Sequence, residues 1–395
     1  MRIESIHVEN FRVFRNATLG VDGRQGLPPL VVLVGANGSG KSTFFDILGF
    51  LRDALVANVR TALDKRGGLR EVRSREGSGP LVIEIKFRDV GPRITYRLEI
   101  DEVDGVPVIE RETLAYRRAQ FGKPWNFVDF SRGKGEAVTN ELADIKEEMD
   151  LKREPQILDS PDILAIKGLG QFKQFKAVAS FRRMIEAWHV SDFHISEARP
   201  SQEAGVAEHL SASGDNLALV ARFLFERHPE RFQAVLDKMH VHVPGVQKVE
   251  AKLTDDGRLV LRFQDGAFKD PFIARHVSDG TIKMFAYLIL LNDPAPHSLL
   301  CIEEPENQLY PSLLTTLAEE FRLYAQRGGQ VMVSTHSPDF LNAIQLDELF
   351  WLTKTNGFST VHRAADDEQL RALVSEGDLP GALWKQGLFA GVHPA

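Results

Sequence analysis

Three short, continuous apolar runs, at residues 30–34 (LVVLV), 299–302 and 331–333, stand out along the chain. None shows the polar alternation of a half-exposed strand, so each predicts a strand covered on both faces. Elsewhere the period changes to two. Residues 81–87, 94–100 and 106–116 alternate like antiparallel strands, with turns expected at Gly91-Pro92 and Asp104-Gly105, and 246–253 pairs with 258–263 across Asp255-Asp256-Gly257. Ile3, Ile6 and Val8 begin a first strand that returns through Leu19 and Val21. Helical spacing appears at 43–56 and 216–225, and a nearly all-apolar helix follows Ser278. Residues 117–180 mix Gly, Pro, Phe and charge without a clear period and are expected to form a compact helical insertion. The pattern predicts an α/β fold in three parts: 1–116, with a β lobe; a mainly helical insertion at 117–190; and 191–395, where residues 340–395 finish a sheet and pack a terminal helix on Trp384 and Leu388.

The first apolar run leads into GANGSGKS, residues 35–42, and then into a helix. This is G-x-x-x-x-G-K-[ST] in the strand-before, helix-after setting that gives it meaning. Gly35, Gly38 and Gly40 let the backbone curl, through Asn37 and Ser39, until its N–H groups face phosphate oxygens. Lys41 then reaches the β and γ phosphates, Ser42 is placed to ligate Mg²⁺, and Thr43 continues the helix. A bare Gly-rich turn would need neither the strand nor the helix.

Three further motifs follow in order. Ser278-Asp279-Gly280-Thr281 opens the apolar helix, where unsatisfied amides and the Ser hydroxyl form an anion site. Alone it reads as an ordinary Ser N-cap. Twenty-five residues after Ser278, the second apolar run ends in Glu303 and Glu304. Adjacent carboxylates at a strand's C-terminal edge lie where doubly wound sheets place ligand chemistry, one suited to Mg²⁺ and the next to activating water. The third run ends just before His336, from where an imidazole can donate to a γ-phosphate or orient the water. A single His past a strand is usually structural, so His336 draws its weight from the motifs that precede it.

Taken in order, GANGSGKS, VSDGT, LLCIEEPE with NQLYP, and VSTHSP resemble the Walker A, signature, Walker B with D-loop, and switch-His elements of ABC-type ATPase heads. They are most similar to the RecF/SMC branch and to OLD-like bacterial ATPases, as are the opening IHVENFRVF and the closing LPGALWKQGLFAG. The resemblance implies a P-loop NTPase head that uses ATP and Mg²⁺. Two such heads sandwich the nucleotide, with Ser278 and Gly280 of one meeting the γ-phosphate held by Lys41 of the other. Glu304 becomes the general base, His336 the switch residue, and Glu303 stands where most ABC ATPases carry Asp. Tyr310 stands where OLD-like relatives carry a D-loop His. Gln202, near a predicted strand end, is the candidate Q-loop glutamine.

Spacing separates the subfamilies. The 237-residue separation of Lys41 from Ser278 exceeds what a transporter nucleotide-binding domain needs, and the intervening chain lacks the sustained heptads of an SMC arm. With 59 residues after His336, no appended metal-dependent nuclease is expected.

Composition then limits the partners. A net charge of −7 repels nucleic acid as a whole, so any grip on double-stranded DNA must be local. Arg117, Arg118, Lys123, Arg132 and Lys134, interleaved with Trp125, Phe127 and Phe130, offer such a place, although a solvated hairpin with a core-facing aromatic edge is the favoured reading of them. The stretch 170–176 (GQFKQFK) poses the same choice. His240 and His242, expected on one face of a strand, lack neighbouring ligands and are read as surface residues rather than a metal site. A lone Cys301 and the absence of a long apolar span or leader fit a cytoplasmic chain without membrane partners. Two roles are expected for the ATPase: a RecF-like one on DNA in repair or recombination, or the sensor or scaffold subunit of an anti-phage system controlling a separately encoded effector. With Lys41, Ser42, Glu304 and His336 all present, loss of turnover is not expected.

Overall fold

A computed structural model describes residues 2–20, 26–88, 93–117, 124–140 and 147–391. The chain starts with the hairpin β1 (Arg2–Phe11) and β2 (Phe14–Leu19), and β3 (Leu30–Gly35) then enters the phosphate loop and the helix Lys41–Val56. A meander follows through β4 (Leu81–Arg88), β5 (Arg93–Val103) and β6 (Val106–Arg117), continued by β7 (Trp125–Ser131), β8 (Lys134–Val138) and β9 (Arg153–Ile157). Then come β10 (Trp188–Ser191), β11 (Gln202–Glu203), β12 (Val246–Leu253), β13 (Arg258–Asp265), β14 (Phe272–Ile273), β15 (Leu299–Glu303), β16 (Val331–Thr335), β17 (Leu349–Thr355) and β18 (Phe358–Arg363).

Among the described residues these strands form three sheets. An antiparallel one runs β2-β1-β4-β5-β6-β7-β8-β9, and a mainly parallel one runs β10-β15-β16-β3-β17-β18. The small third sheet joins β11, β12 and β14 to β13.

The continuous apolar runs have the reason expected of them. On β3, Val31 and Leu33 face one core with the antiparallel sheet and the helix Lys41–Val56, while Leu30, Val32 and Val34 face a second core on the other side. On β15, Leu299 and Cys301 face the first core and Leu300 and Ile302 the second; burial pushes the Cys301 thiol up. Each buried aliphatic side chain contributes about 1.5–3 kcal/mol, so the parallel strands are anchored from both faces. Gln330 ties the two large sheets together: its amide accepts from Ile3 N (2.9 Å) and donates to Ile3 O (3.1 Å).

The stretch 117–190 departs from expectation. Instead of a mainly helical insertion, β7, β8 and β9 extend the antiparallel sheet, and the helices Ala165–Leu169 and Lys176–Glu186 pack into the first core through Ile166, Phe175 and Phe181. The physical reason is the turn between β7 and β8, where Arg132 (φ 48°) and Gly133 (φ 77°) both take positive φ, as a two-residue hairpin requires. Short strands with a polar outer face hid the alternation.

The basic and aromatic cluster also resolves on the plainer side. Phe127 and Phe130 are buried and Arg132 pairs with Glu110 (2.9 Å), while Arg118 and Lys123 lie outside the described residues, as do the expected Gly91-Pro92 turn and Val21. Of the two Phe in 170–176, Phe175 is buried and Phe172 exposed. His240 and His242 end the helix Pro229–His242 rather than a strand, so residues two apart point to different faces. At the C-terminal end the helix Pro380–Lys385 packs where expected; Leu383 and Phe389 are its buried anchors, with Trp384 and Leu388 partly buried beside them. Among the described residues no helix is long and apolar enough to cross a membrane.

Candidate active site

Sheet order assembles the site. Because β15, β16 and β3 are parallel neighbours, their C-terminal ends share one edge, and Glu303, Ser334 and Val34 lie near the same level. The phosphate loop leaves β3, the two carboxylates end β15, His336 follows β16, and Asp192 follows β10 on the far side of β15.

The loop's shape depends on two glycines. Gly38 (φ 75°) and Gly40 (φ 102°) occupy the left-handed region, and Gly40 caps the helix that starts at Lys41. Lys41 is buried and folded back on its own loop, donating to Gly35 O at 2.8 Å and Ala36 O at 3.4 Å. Burial lowers its pKa, against the pull of Glu304, Glu306 and Glu303. Ser42 Oγ donates to Glu303 Oε2 at 2.5 Å, and burial raises the Glu303 carboxyl against that bond. A hydroxyl and a carboxylate side by side at a helix N-terminus are a hard-oxygen donor pair, which fits Mg²⁺. Ser39 Oγ, buried nearby in the loop, has no hydrogen-bond partner.

Glu304 adopts φ 42°, a strained conformation for a side chain with a Cβ, and its amide donates to Ser334 O at 2.8 Å. Asn307 Nδ2 donates to Glu304 Oε2 (2.9 Å), and His336 Nδ1 stands 3.4 Å from Glu304 Oε1. Glu306, absent from the expected set, fixes His336 from below: its Oε1 accepts from Thr335 Oγ1 (2.7 Å) and from the His336 amide (2.9 Å). Lys283, also unexpected, donates to Asn307 O (2.7 Å) and Glu304 O (3.4 Å), and burial brings its pKa down to about 8.

A cleft of about 760 Å³ opens in front of Ser42, Glu303 and Glu304 and is walled by Asp192, His194 and Arg199. The expected Q-loop glutamine is not there. Gln202 pairs with Leu259 in the small sheet and its buried amide has no partner, so the segment after β10 presents Asp192 and His194 to the cleft instead. Only the position of β10 beside β15, a tertiary fact, could have pointed to them.

Ser278 and Gly280 do not line the cleft in front of Ser42; with Tyr310 and Pro244 they line a mostly apolar pocket that meets the cleft at Asp279 and Gln308. Ser278 Oγ caps its helix, accepting from Thr281 N at 3.3 Å. Gly280 is required locally because a Cβ there would lie 2.9 Å from Gln308 O. Arg199 braces this segment, pairing with Asp279 and donating to Val277 O at 2.8 Å. Tyr310, in the D-loop, is 73% exposed.

A family model described as "AAA domain, putative AbiEii toxin, Type IV TA system" matches residues 30–342, from β3 to just beyond His336. No curated protein matches the chain. Among solved structures it is similar to an SMC head bound to the C-winged helix domain of ScpA, with 13% identity and a TM-score of 0.55, over 92% of this chain and 97% of that one. An SMC head domain from Thermotoga maritima aligns at 14% identity and a TM-score of 0.46, over 92% of this chain and 99% of that one. An SMC head with an extended coiled coil, bound to the C-terminal domain of ScpA derived from Pyrococcus furiosus, aligns at 14% and 0.49, over 95% and 99%. The first of these likenesses carries the fold: an α/β P-loop ATPase head of the ABC type.

Proposed function

The chain belongs to the AAA_21 family, P-loop ATPases with an AAA domain, and from that premise we propose that it binds and hydrolyses MgATP and closes two heads around the nucleotide. The observation that carries this reading is the single edge on which Ser42, Glu303, Glu304 and His336 meet. Phosphoryl transfer needs positioning and charge stabilisation more than covalent chemistry, and that edge supplies both.

In the proposed cycle Lys41 leaves Gly35 O for the phosphates, and Ser42 and Glu303 are the residues that would hold Mg²⁺. Bound Mg²⁺ supplies charge neutralisation at the phosphate oxygens. Glu304, oriented by Asn307, accepts the proton of the attacking water, and His336, fixed by Glu306, reads the γ-phosphate. Ser278 and Gly280, in a pocket beside the cleft rather than within it, suit contact with nucleotide held by a second head.

The output we propose is control of a separately encoded partner protein, as in a toxin or anti-phage pair. The description of the family supports this reading. Action on DNA, implied by the RecF resemblance, draws no support from the described residues 124–134, where Phe127 and Phe130 are buried and Arg132 is paired.

Size exclusion of Glu304→Gln with MgATP tests the switch: a shift to dimer is expected, and a monomer at saturating ATP would reject the sandwich. An arm with duplex DNA separates the outputs, since DNA-stimulated turnover in the wild type would favour the repair role.

A further inference from the structure

At the opposite edge of the parallel sheet, three ligand-type side chains converge outside the nucleotide site. Asp293 follows the C-cap of the helix Asp279–Leu291, His297 lies just before β15, and His209 precedes the helix Leu217–Arg227. Their ligand atoms all lie within 4.8 Å of one another. His209 Nδ1 is 2.8 Å and His297 Nε2 is 3.7 Å from the same Asp293 Oδ2. A tetrahedral zinc ion with bonds of about 2.0–2.2 Å has ligand–ligand edges of about 3.3–3.6 Å, and these two edges bracket that range.

The hydrogen bonds point the same way. His297 Nδ1 faces Ala187 O at 3.1 Å, which places the proton on Nδ1 and leaves the Nε2 lone pair free. That Nε2 is buried and has no hydrogen-bond partner. A histidine whose one nitrogen is tied to a backbone carbonyl and whose other is bare beside a carboxylate has the arrangement of a metal ligand with its supporting bond. Asp293 is 4% exposed, a carboxylate held in place by the Ala295 amide on Oδ1 (2.8 Å). Arg231, a nearby cation, donates to the backbone oxygen of Asp293 (2.8 Å) rather than to its carboxylate, and Arg52 lies within electrostatic range of His297 without a hydrogen bond to the carboxylate. The buried His189 ring packs on His297 at 4.9 Å between centroids and closes the inner side.

We propose that His209, Asp293 and His297 bind a zinc-class divalent ion, with water in the fourth position. Two imidazoles and one carboxylate suit Zn²⁺ better than Mg²⁺ or Ca²⁺, which prefer all-oxygen sets. The ion clips His209 to the short connection that carries Asp293 and His297, which are four residues apart but lie 84 or more residues after His209. It ties the far end of the helix headed by Ser278 to the start of the strand that ends in Glu303, so the site is a structural pin between the two motif-bearing elements.

Zinc titration of the chelator-treated full chain by calorimetry, with Co²⁺ as a visible-absorption probe, tests the site. One equivalent is expected to bind, with the absorption of four-coordinate cobalt and a rise in Tm. Affinity should fall at least about tenfold in Asp293→Asn and in His209→Ala, whose side chain is solvent-exposed and can be removed without disturbing a core, and should be kept in Glu303→Gln. Absence of zinc uptake by the folded wild type would overturn the proposal. So would uptake lost in Glu303→Gln but kept in His209→Ala, which would place the ion at the nucleotide site.

Discussion

The Ser42 hydroxyl donates to Glu303 Oε2 across 2.5 Å, joining the first turn after the phosphate loop to the end of β15. The two residues are 261 apart in sequence, and each satisfies the other's polar group. On the proposed role, both side chains would hold Mg²⁺. Ser42→Ala and Glu303→Gln should each raise the Mg²⁺ concentration needed for half-maximal ATPase activity by about 10–100-fold. A Mg²⁺ titration at fixed ATP measures this; unchanged midpoints in both variants would remove these residues from the metal site.

Glu304 and His336 are 3.4 Å apart and are expected to act as a unit. Glu304→Gln should lower kcat by about 10²–10⁴-fold with little change in ATP affinity. The double variant with His336→Ala should cost hardly more than the worse single one, since residues sharing one step are not additive. Full additivity in steady-state kinetics would show that the imidazole works independently of the base.

Glu112 gives the β lobe a pH dependence. Its buried carboxyl accepts from Ala165 N (2.5 Å), Ile166 N (3.1 Å) and Tyr96 Oη (3.1 Å), yet burial pushes its pKa from 4.5 up to about 7. Between those values the folded state holds a proton that the unfolded state has lost, so stability falls as pH rises from about 4.5 to 7 and levels off above. The effect is on the order of 3 kcal/mol at most. Urea midpoints at pH 5 and pH 8 should differ less in Glu112→Gln than in the wild type; equal pH slopes would assign the dependence to other groups.

Gly381 connects the C-terminal helix to the His336 segment. A Cβ there would lie 1.9 Å from Pro338 O, and its amide already donates to Asn342 Oδ1 at 2.9 Å. Gly381→Ala should cost about 1–3 kcal/mol through overpacking. Because Pro338 is two residues past His336, kcat should drop as well. A variant with wild-type denaturation and wild-type turnover would show that this contact is relaxed at no cost.

The local motifs were legible because each depends on short-range physics. Gly38 and Gly40 need positive φ, the run from Leu30 to Val34 needs two apolar faces, and Ser278 heads a helix it can cap; all of these are written in consecutive residues. The carboxylate pair and His336 could be placed at strand ends for the same reason. What the sequence could not determine is who stands beside whom. Strand order β10-β15-β16-β3 brings Asp192 to the cleft and keeps Gln202 out of it, and Glu306 and Lys283 join the site only because the loop after β15 folds over the helix from Asp279. The zinc-type cluster likewise brings His209 to Asp293 and His297, a four-residue pair that the sequence places together but that lies 84 residues after His209. Periodicity records which face of its own element a residue occupies; neighbours across elements are chosen by packing of the whole chain, and only the tertiary structure carries that information.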